Sequence, residues 1–307
     1  MLKRFQILLR FIKFYFRAKT KYRVHSPFIF DFVNEVLEDD RTFYVFREAE
    51  ILRGQLLESK DSVQVTDFGA GSHVDGTKQE RAVRSIAASA LSSAFQCEWI
   101  FRICNNYKPL NIIELGTSLG VSTLYISEGT PLDAKILTLE GSSEIAKLAD
   151  RNFDWFYNTF NKTGMINNDA DVLDYDAYQK NMPTGKGKNK IQIIEGTFDK
   201  TLQLALNQLV TLDLCFIDGN HRYAPTMQYF EQCLQHKHEG TILIFDDIHW
   251  SEEMERAWAE VKLHPSVKLT IDLFWCGIVF FRNENQEKEH FSLMKANWKP
   301  FSWGLFR

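Results

Sequence analysis

"NIIELGTSLGVSTLYIS", residues 111–127, reads as an apolar strand, an acidic residue, a glycine-bearing loop and the start of a helix. Units of this kind gather backbone N–H groups and a helix N-terminus around a bound ligand. A stretch with the same outline, "VTDFGAGSHV", lies upstream at 65–74. The sequence that follows each loop separates the two. A nucleoside clamp needs an acid at the end of the next strand, roughly 20 residues beyond the glycines. From Gly116, the apolar run "KILTL" (135–139) ends in Glu140 and Gly141. From Gly69, the matching distance falls in "SIAASALSSAF" (85–95), which holds neither an acid nor a strand. The loop 116–120 is therefore the expected site. Its Gly116-x3-Gly120 spacing departs from the GxGxxG of hydride-transfer cofactors.

Outward from this loop the pattern is regular. Strand-like runs at 135–139, 191–195 ("IQIIE"), 212–218 ("LDLCFID") and 241–247 ("TILIFDD") alternate with helical runs at 143–160, 200–209, 225–236 and 252–262. Strands apolar on both faces, each followed by a helix, imply a parallel sheet covered on both sides. "VKLTIDLF" (267–274) and "IVFFR" (278–282) are joined too closely for a helix and should form an antiparallel hairpin. Residues 163–190 are polar and long for a connection, and read as a surface insertion. Their "GKGK" lacks the spacing and the preceding strand of a phosphate loop.

The 307 residues are 45% hydrophobic and 25% charged, ordinary values for one large domain or a domain with an appendage. Phe is abundant, at 25, which suggests aromatic packing or an aromatic-lined pocket. The five cysteines are odd in number and scattered, with no CxxC. That pattern fits neither a disulfide framework nor a zinc site, so a reducing cytoplasm is expected.

The net charge of −4 conceals an asymmetry. Residues 1–30 hold eight Lys/Arg and no acid, leaving 28 basic against 40 acidic residues elsewhere, a net −12. The opening "MLKRFQILLRFIKFYFRAK" does not read as a secretory leader, because Arg10 and Lys13 interrupt its apolar run. It is also too short and too charged to span a bilayer. An amphipathic helix fits, with Phe5, Leu8, Leu9, Ile12 and Phe16 on one face. Docking on the chain's own acidic domain is favoured over peripheral contact with an anionic membrane. An acidic core with a short basic stretch argues against a nucleic-acid partner.

The segment 111–282 resembles the class I S-adenosylmethionine (SAM) dependent methyltransferases, and looks most like the O-methyltransferases of the catechol type. Glu114, Gly116, Thr117, Gly120, Ser122 and Thr123 match that family's E-x-G-T-x-x-G-x-S-T, and Glu140 matches the acid ending its second strand. The resemblance implies a Rossmann-like α/β fold: a doubly wound, seven-stranded, mostly parallel sheet with an antiparallel last strand, here behind a helical N-terminal extension. It divides the chain into a helical extension expected to cover the active site (1–95), a SAM-binding domain (96–285) and an aromatic tail (286–307). It implies SAM held by Glu114, Gly116, Thr117, Ser118, Gly120, Glu140 and Asp218, and a small-molecule acceptor.

Strand four ends "FIDGNHRY" and strand five "IFDDIHW", so Asp218, His221, Asp246, Asp247 and His249 should converge on one crevice. Three carboxylates together repel unless a cation or protons intervene, and oxygen ligands suit Mg²⁺. In the catechol-type enzymes an Asp ending strand four and an Asp-Asn pair ending strand five hold a divalent metal. Asp218 and Asp246 match two of these, while Asp247 replaces the Asn. His221 stands where the family has its catalytic Lys. These departures point either to a metal such as Mn²⁺ or Fe²⁺ on Asp218, Asp246 and Asp247, or to His221 as general base without metal, with Asp218 beside it. The plainer readings are a turn cap for Asp218, a helix N-terminus for Asp247 and an ordinary loop position for His249. Cys215 and Cys276 read as small core residues.

Residues 67–90 are expected to cover the cofactor, with a helix from about Gln79 carrying Arg81 and Arg84; a plain connector is the alternative. Two rivals to a methyltransferase remain: a nicotinamide-dependent oxidoreductase, disfavoured by the missing GxGxxG, and a non-catalytic binding protein using its basic N-terminus.

Overall fold

The structure, a computed structural model, describes residues 2–66, 78–160 and 188–299. Its centre is an eight-stranded sheet. β3 (Asn111–Leu115) pairs in parallel with β4 (Lys135–Glu140) on one side and β6 (Leu212–Ile217) on the other. Beyond β4 lies β5 (Ile191–Glu195), and beyond β6 lies β7 (Lys237–Asp246), both parallel to their neighbours. The hairpin forms as expected: β9 (Cys276–Phe280) is antiparallel to both β7 and β8 (Leu269–Asp272). An eighth strand that the sequence did not suggest, β10 (Glu289–Ser292), extends the edge in parallel with β8. Part of the expected aromatic tail therefore belongs to the sheet.

The strands alternate their faces with period two. Ile112, Leu214, Phe216, Ile242 and Ile244 pack on one side, and Ile113, Leu115, Cys215, Leu243 and Phe245 on the other. Both sides are buried, which is why these runs are apolar throughout. The second side is covered by the helices Phe198–Leu209, Tyr223–Leu234 and Glu252–Leu263. The first side is covered by the helix Ala94–Tyr107 and by Ile29, Phe32, Val33, Val36 and Leu37, from Pro27–Phe32 and the π turn after it. The N-terminal extension thus shares one core with the sheet. Cys215 and Cys276 are buried in strands, as expected.

The first glycine stretch does not open a parallel unit. β1 (Ser62–Thr66) pairs antiparallel with β2 (Lys78–Ala82) in a separate two-stranded sheet. Arg81 therefore lies in a strand, and the helix expected from Gln79 begins only at Val83. "KQERA" carries no apolar period to mark either state, and pairing with β1 decides it. The glycines at 69, 71 and 76 and most of the 163–190 insertion lie outside the described residues.

The N-terminal helix α1 (Leu2–Arg17) docks on the domain, but not by the face its sequence suggested. Ile7, Phe11, Phe14 and Ala18 pack on Phe274, Trp275 and Met294, while Phe5, Leu8, Leu9, Ile12 and Phe16 are exposed. Arg10 pairs with Glu255 at 2.8 Å and Arg17 with Asp272 at 3.0 Å. His249 belongs to this seam rather than to the crevice. It bridges Glu255 at 3.0 Å and Asp272 at 3.1 Å and stacks on Phe274.

Candidate active site

The chain leaves β3 for β4 on one side and reaches β6 on the other, so the carboxyl ends of these strands open a crevice. Such switch points are where open α/β sheets bind ligands. The loop over this opening is held tightly. Gly116 and Thr117 donate their N–H groups to the Leu139 carbonyl, at 3.0 and 3.1 Å, and Asp218 donates its N–H to the Leu115 carbonyl at 2.9 Å. Gly116 sits at φ +105°, and a Cβ there would lie 2.1 Å from the Asp218 carbonyl oxygen. Ser118, at φ +48°, is a left-handed non-glycine in the same turn. Strain of this kind persists where the surroundings over-determine it, often at a functional site. Gly120, at φ +85°, is the N-cap of the helix Val121–Gly129 and leaves space for the Phe153 ring.

Glu114 lies beneath the loop. Its carboxylate is fully buried and accepts hydrogen bonds from Ser122 Oγ (2.7 Å), Thr123 Oγ1 (2.5 Å) and Thr138 Oγ1 (2.6 Å). Burial pushes its carboxyl up to about 7 against these three hydroxyls. The motif's Glu, Ser and Thr thus form a polar knot that fixes the loop, with Thr117 joined through Thr138 at 2.6 Å. Glu114 supports the cradle from below rather than lining it.

Glu140 has the geometry of a clamp. Oε2 accepts the Ser118 N–H and Oε1 the Ser142 N–H, both at 2.9 Å. Each oxygen keeps a second lone pair. Burial raises the carboxyl's pKa, opposed by these backbone donors. Nearby, the hydroxyl oxygens of Ser118 and Ser142 are buried without a partner among the described residues. A buried orphan hydroxyl costs about 1–3 kcal/mol until something meets it. An acid with two acceptor positions beside two such hydroxyls fits a ligand carrying a pair of vicinal hydroxyls, as a ribose does.

On the other side, the strand ends bring Asp218, His221, Asp246 and Asp247 together. His221 Nε2 stands 3.5 Å from Asp218 Oδ1. Burial disfavours the imidazolium, but the carboxylates of Asp218 and Asp247 outweigh it and raise its pKa. Asp246 is buried, and its carboxyl hydrogen-bonds that of Asp218. Two carboxyl groups in such contact need a proton between them. Burial, followed by the charges of Asp218 and Asp247, raises the pKa of the Asp246 carboxyl well above its ordinary value. Asp247, at φ +53°, donates its N–H to the Trp275 carbonyl at 2.7 Å, and its carboxylate faces the His221 charge. Ser251, not Asp247, caps the following helix, accepting the Met254 N–H at 3.1 Å.

The Asp246 carboxyl thus meets that of Asp218, and the His221 ring stands beside Asp218. Among the described residues, no group of three or more His, Cys, Asp or Glu side chains is arranged to hold a metal ion. The expected Asp218–Asp246–Asp247 ligand set does not form in this arrangement, because Asp246 is engaged with Asp218 while Asp247 is turned toward His221.

Two further residues reach the same place. Ser92 Oγ donates to Asp218 Oδ2 at 3.2 Å, and Gln96 Nε2 donates to Asp246 Oδ1 at 3.3 Å. Gln96 also accepts the Ser93 N–H at 3.0 Å, closing a capping box at the start of its helix. Ser93-x-x-Gln96 is legible as a helix start. Its second role, as a strut to the acids, has no sequence signal.

Residues 113–248, which carry the loop, Glu140, Asp218, His221 and the acids of β7, match the family model described as a methyltransferase domain. This stretch is similar to methyltransferase domains. A catechol O-methyltransferase of Niastella koreensis is 26% identical over 138 residues, 45% of this chain and 49% of that protein. The O-methyltransferase hkm8 of Aspergillus hancockii is 40% identical over 62 residues, 20% of this chain and 25% of that protein. The matches thus span half or less of either curated relative. Among solved structures, the SAH-bound methyltransferase PaMTH1 of Podospora anserina superposes with a TM-score of 0.51 at 16% identity, covering 85% of this chain and 98% of that one. This likeness shows the fold.

Proposed function

We propose that the chain transfers the methyl group of SAM to an oxygen of a small-molecule acceptor. Glu140 carries this reading: a half-buried carboxylate with a backbone amide on each oxygen and lone pairs to spare, at the end of the strand beside the glycine loop. It suits the two ribose hydroxyls of SAM, with Gly116, Thr117, Ser118 and Gly120 shaping the loop around the rest of the cofactor and Asp218 closing the far side. Glu114 acts from beneath by holding the loop. When bound, SAM supplies a methyl group on a sulfonium, which passes to the acceptor oxygen as the carbon–sulfur bond breaks.

His221 is the base in this reading. Its Nε2 faces Asp218, so the other ring nitrogen is the one left to take the acceptor's proton. Asp218 orients the ring and stabilises the imidazolium that forms. Positioning of acceptor and cofactor in line supplies much of the rate, and Ser92 and Gln96 serve it by holding the acids in place. No step is assigned to Mg²⁺ or Mn²⁺, since the carboxylates are not gathered as ligands. The five cysteines are free and buried, which supports a reducing compartment such as the cytoplasm. Incubating the full chain with SAM and a metabolite extract, and searching by mass spectrometry for a gain of one methyl group, tests the proposal. A survey that finds SAM bound but no methylated product from any acceptor class would favour the non-catalytic binding alternative.

A further inference from the structure

The helix α1 carries two apolar stripes on opposite sides. Its inner stripe is anchored: Phe14 is 2% exposed, Phe11 packs edge-on against Phe274 with ring centroids 5.0 Å apart, and Arg10 is tied to Glu255 at 2.8 Å. Its outer stripe is Phe5, Leu8, Leu9, Ile12 and Phe16, which are 58, 52, 44, 42 and 78% exposed. At about 100° per residue these five positions fall within one face roughly 100° wide. Scattered exposed apolar residues need no explanation, but a contiguous stripe of five on one helix marks an interaction surface. Folding does not require it, since the helix is already held by its other side.

The charges select the occupant. The first 30 residues hold eight Lys/Arg and no acid, while the rest of the chain carries a net −12. Lys13 is exposed beside Ile12 on the outer side. Arg10 and Arg17 are engaged by the domain's own acids, so Lys13 is left to flank the stripe, and a second copy in a two-fold contact would bring one basic helix against another. An anionic lipid surface instead offers negative headgroups to the cations and an acyl boundary to the stripe. The helix, at 16 residues, is about 24 Å long and interrupted by charges, shorter than a bilayer core. Among the described residues no helix is long and apolar enough to cross a membrane. We infer that the outer face of α1 lies in the plane of an anionic lipid surface, with the acidic domain held above it. This inference is independent of the methyl-transfer reading.

Co-sedimentation of the full chain with lipid vesicles tests it, using phosphatidylcholine alone and phosphatidylcholine mixed with phosphatidylserine. Wild type should pellet with the mixed vesicles, remain in solution with the neutral ones, and release as salt rises. The double variant Leu9→Asp/Ile12→Asp should lose about tenfold or more in partitioning, because both apolar contacts are replaced by like-charged groups facing anionic lipid. Its thermal unfolding should be unchanged, since both side chains are exposed. No binding of folded wild type to mixed vesicles, equal binding to neutral ones, or equal binding by the double variant would each overturn the inference. So would a wild-type dimer that the double variant dissolves, which would assign the stripe to a second copy.

Discussion

The Asp218 carbonyl oxygen stands 2.1 Å from where a Cβ on Gly116 would be, so the ends of β3 and β6 close on each other only because that residue has no side chain. Gly116→Ala must shift backbone and hold a strained φ, at a cost of about 2–4 kcal/mol. The expected outcome is a lower unfolding midpoint together with loss of SAM binding. Gly54, inside the helix Tyr44–Glu58, has nothing within 4 Å of its would-be Cβ. Gly54→Ala should therefore stabilise by about 0.5–1 kcal/mol and leave binding unchanged. Thermal melts of the two variants compare them directly.

Glu140→Ala removes the acceptor for the ribose hydroxyls and frees two backbone donors. SAM affinity should fall by about 1.5–3 kcal/mol, the range for a charge-assisted hydrogen bond. Glu114→Gln should behave differently, since its oxygens are already taken by Ser122, Thr123 and Thr138. It should lower stability more than it lowers affinity at the ligand, a split that melts and titrations of one preparation resolve.

His221 must be neutral to act as a base. Its raised pKa keeps the imidazolium to a higher pH than an ordinary histidine, so it is the charged, inactive form that is favoured at low pH. The rate of methyl transfer should then climb as pH rises through a midpoint above 6.5. In His221→Gln this limb should disappear and the rate drop by about 10²–10⁴. An unchanged limb in that variant would move the titration to another group.

Burial and Asp218 raise the pKa of Asp246, which favours its protonated form, so Asp246→Asn offers a donor in the same place. The variant should keep activity within about tenfold of wild type. Exhaustive chelation should likewise leave the rate unchanged. Activity lost on chelation and restored by Mg²⁺ or Mn²⁺ would put a cation where this arrangement has a proton.

The alternation of strand and helix was readable because both periods are written in the apolar residues, and the helix read at 143–160 has those same bounds. The place of the second glycine stretch, between a central strand and a helix and followed by a strand ending in an acid, was readable too. Other features left no local signal. "EHFS" is a short polar edge strand, indistinguishable from loop until β8 presents its edge. α1 is apolar on opposite sides, so sequence alone could not say which face docks; Phe274, Trp275 and the acids Glu255 and Asp272 decide it. Glu114 read as a ligand, yet the hydroxyls of its own motif turn inward and occupy it. Asp246 read as a metal ligand, and the structure sets its carboxyl against that of Asp218. In both cases the neighbours are set by how the chain packs rather than by the residue type.

Calorimetric titration of the full chain with SAM tests the central claim most directly. Saturable binding at a single site, absent with NADH and weakened in Glu140→Ala, is the expected result. No heat of binding from folded protein, or binding that Glu140→Ala leaves unchanged, would contradict the assignment of the crevice between β4 and β6 to this cofactor.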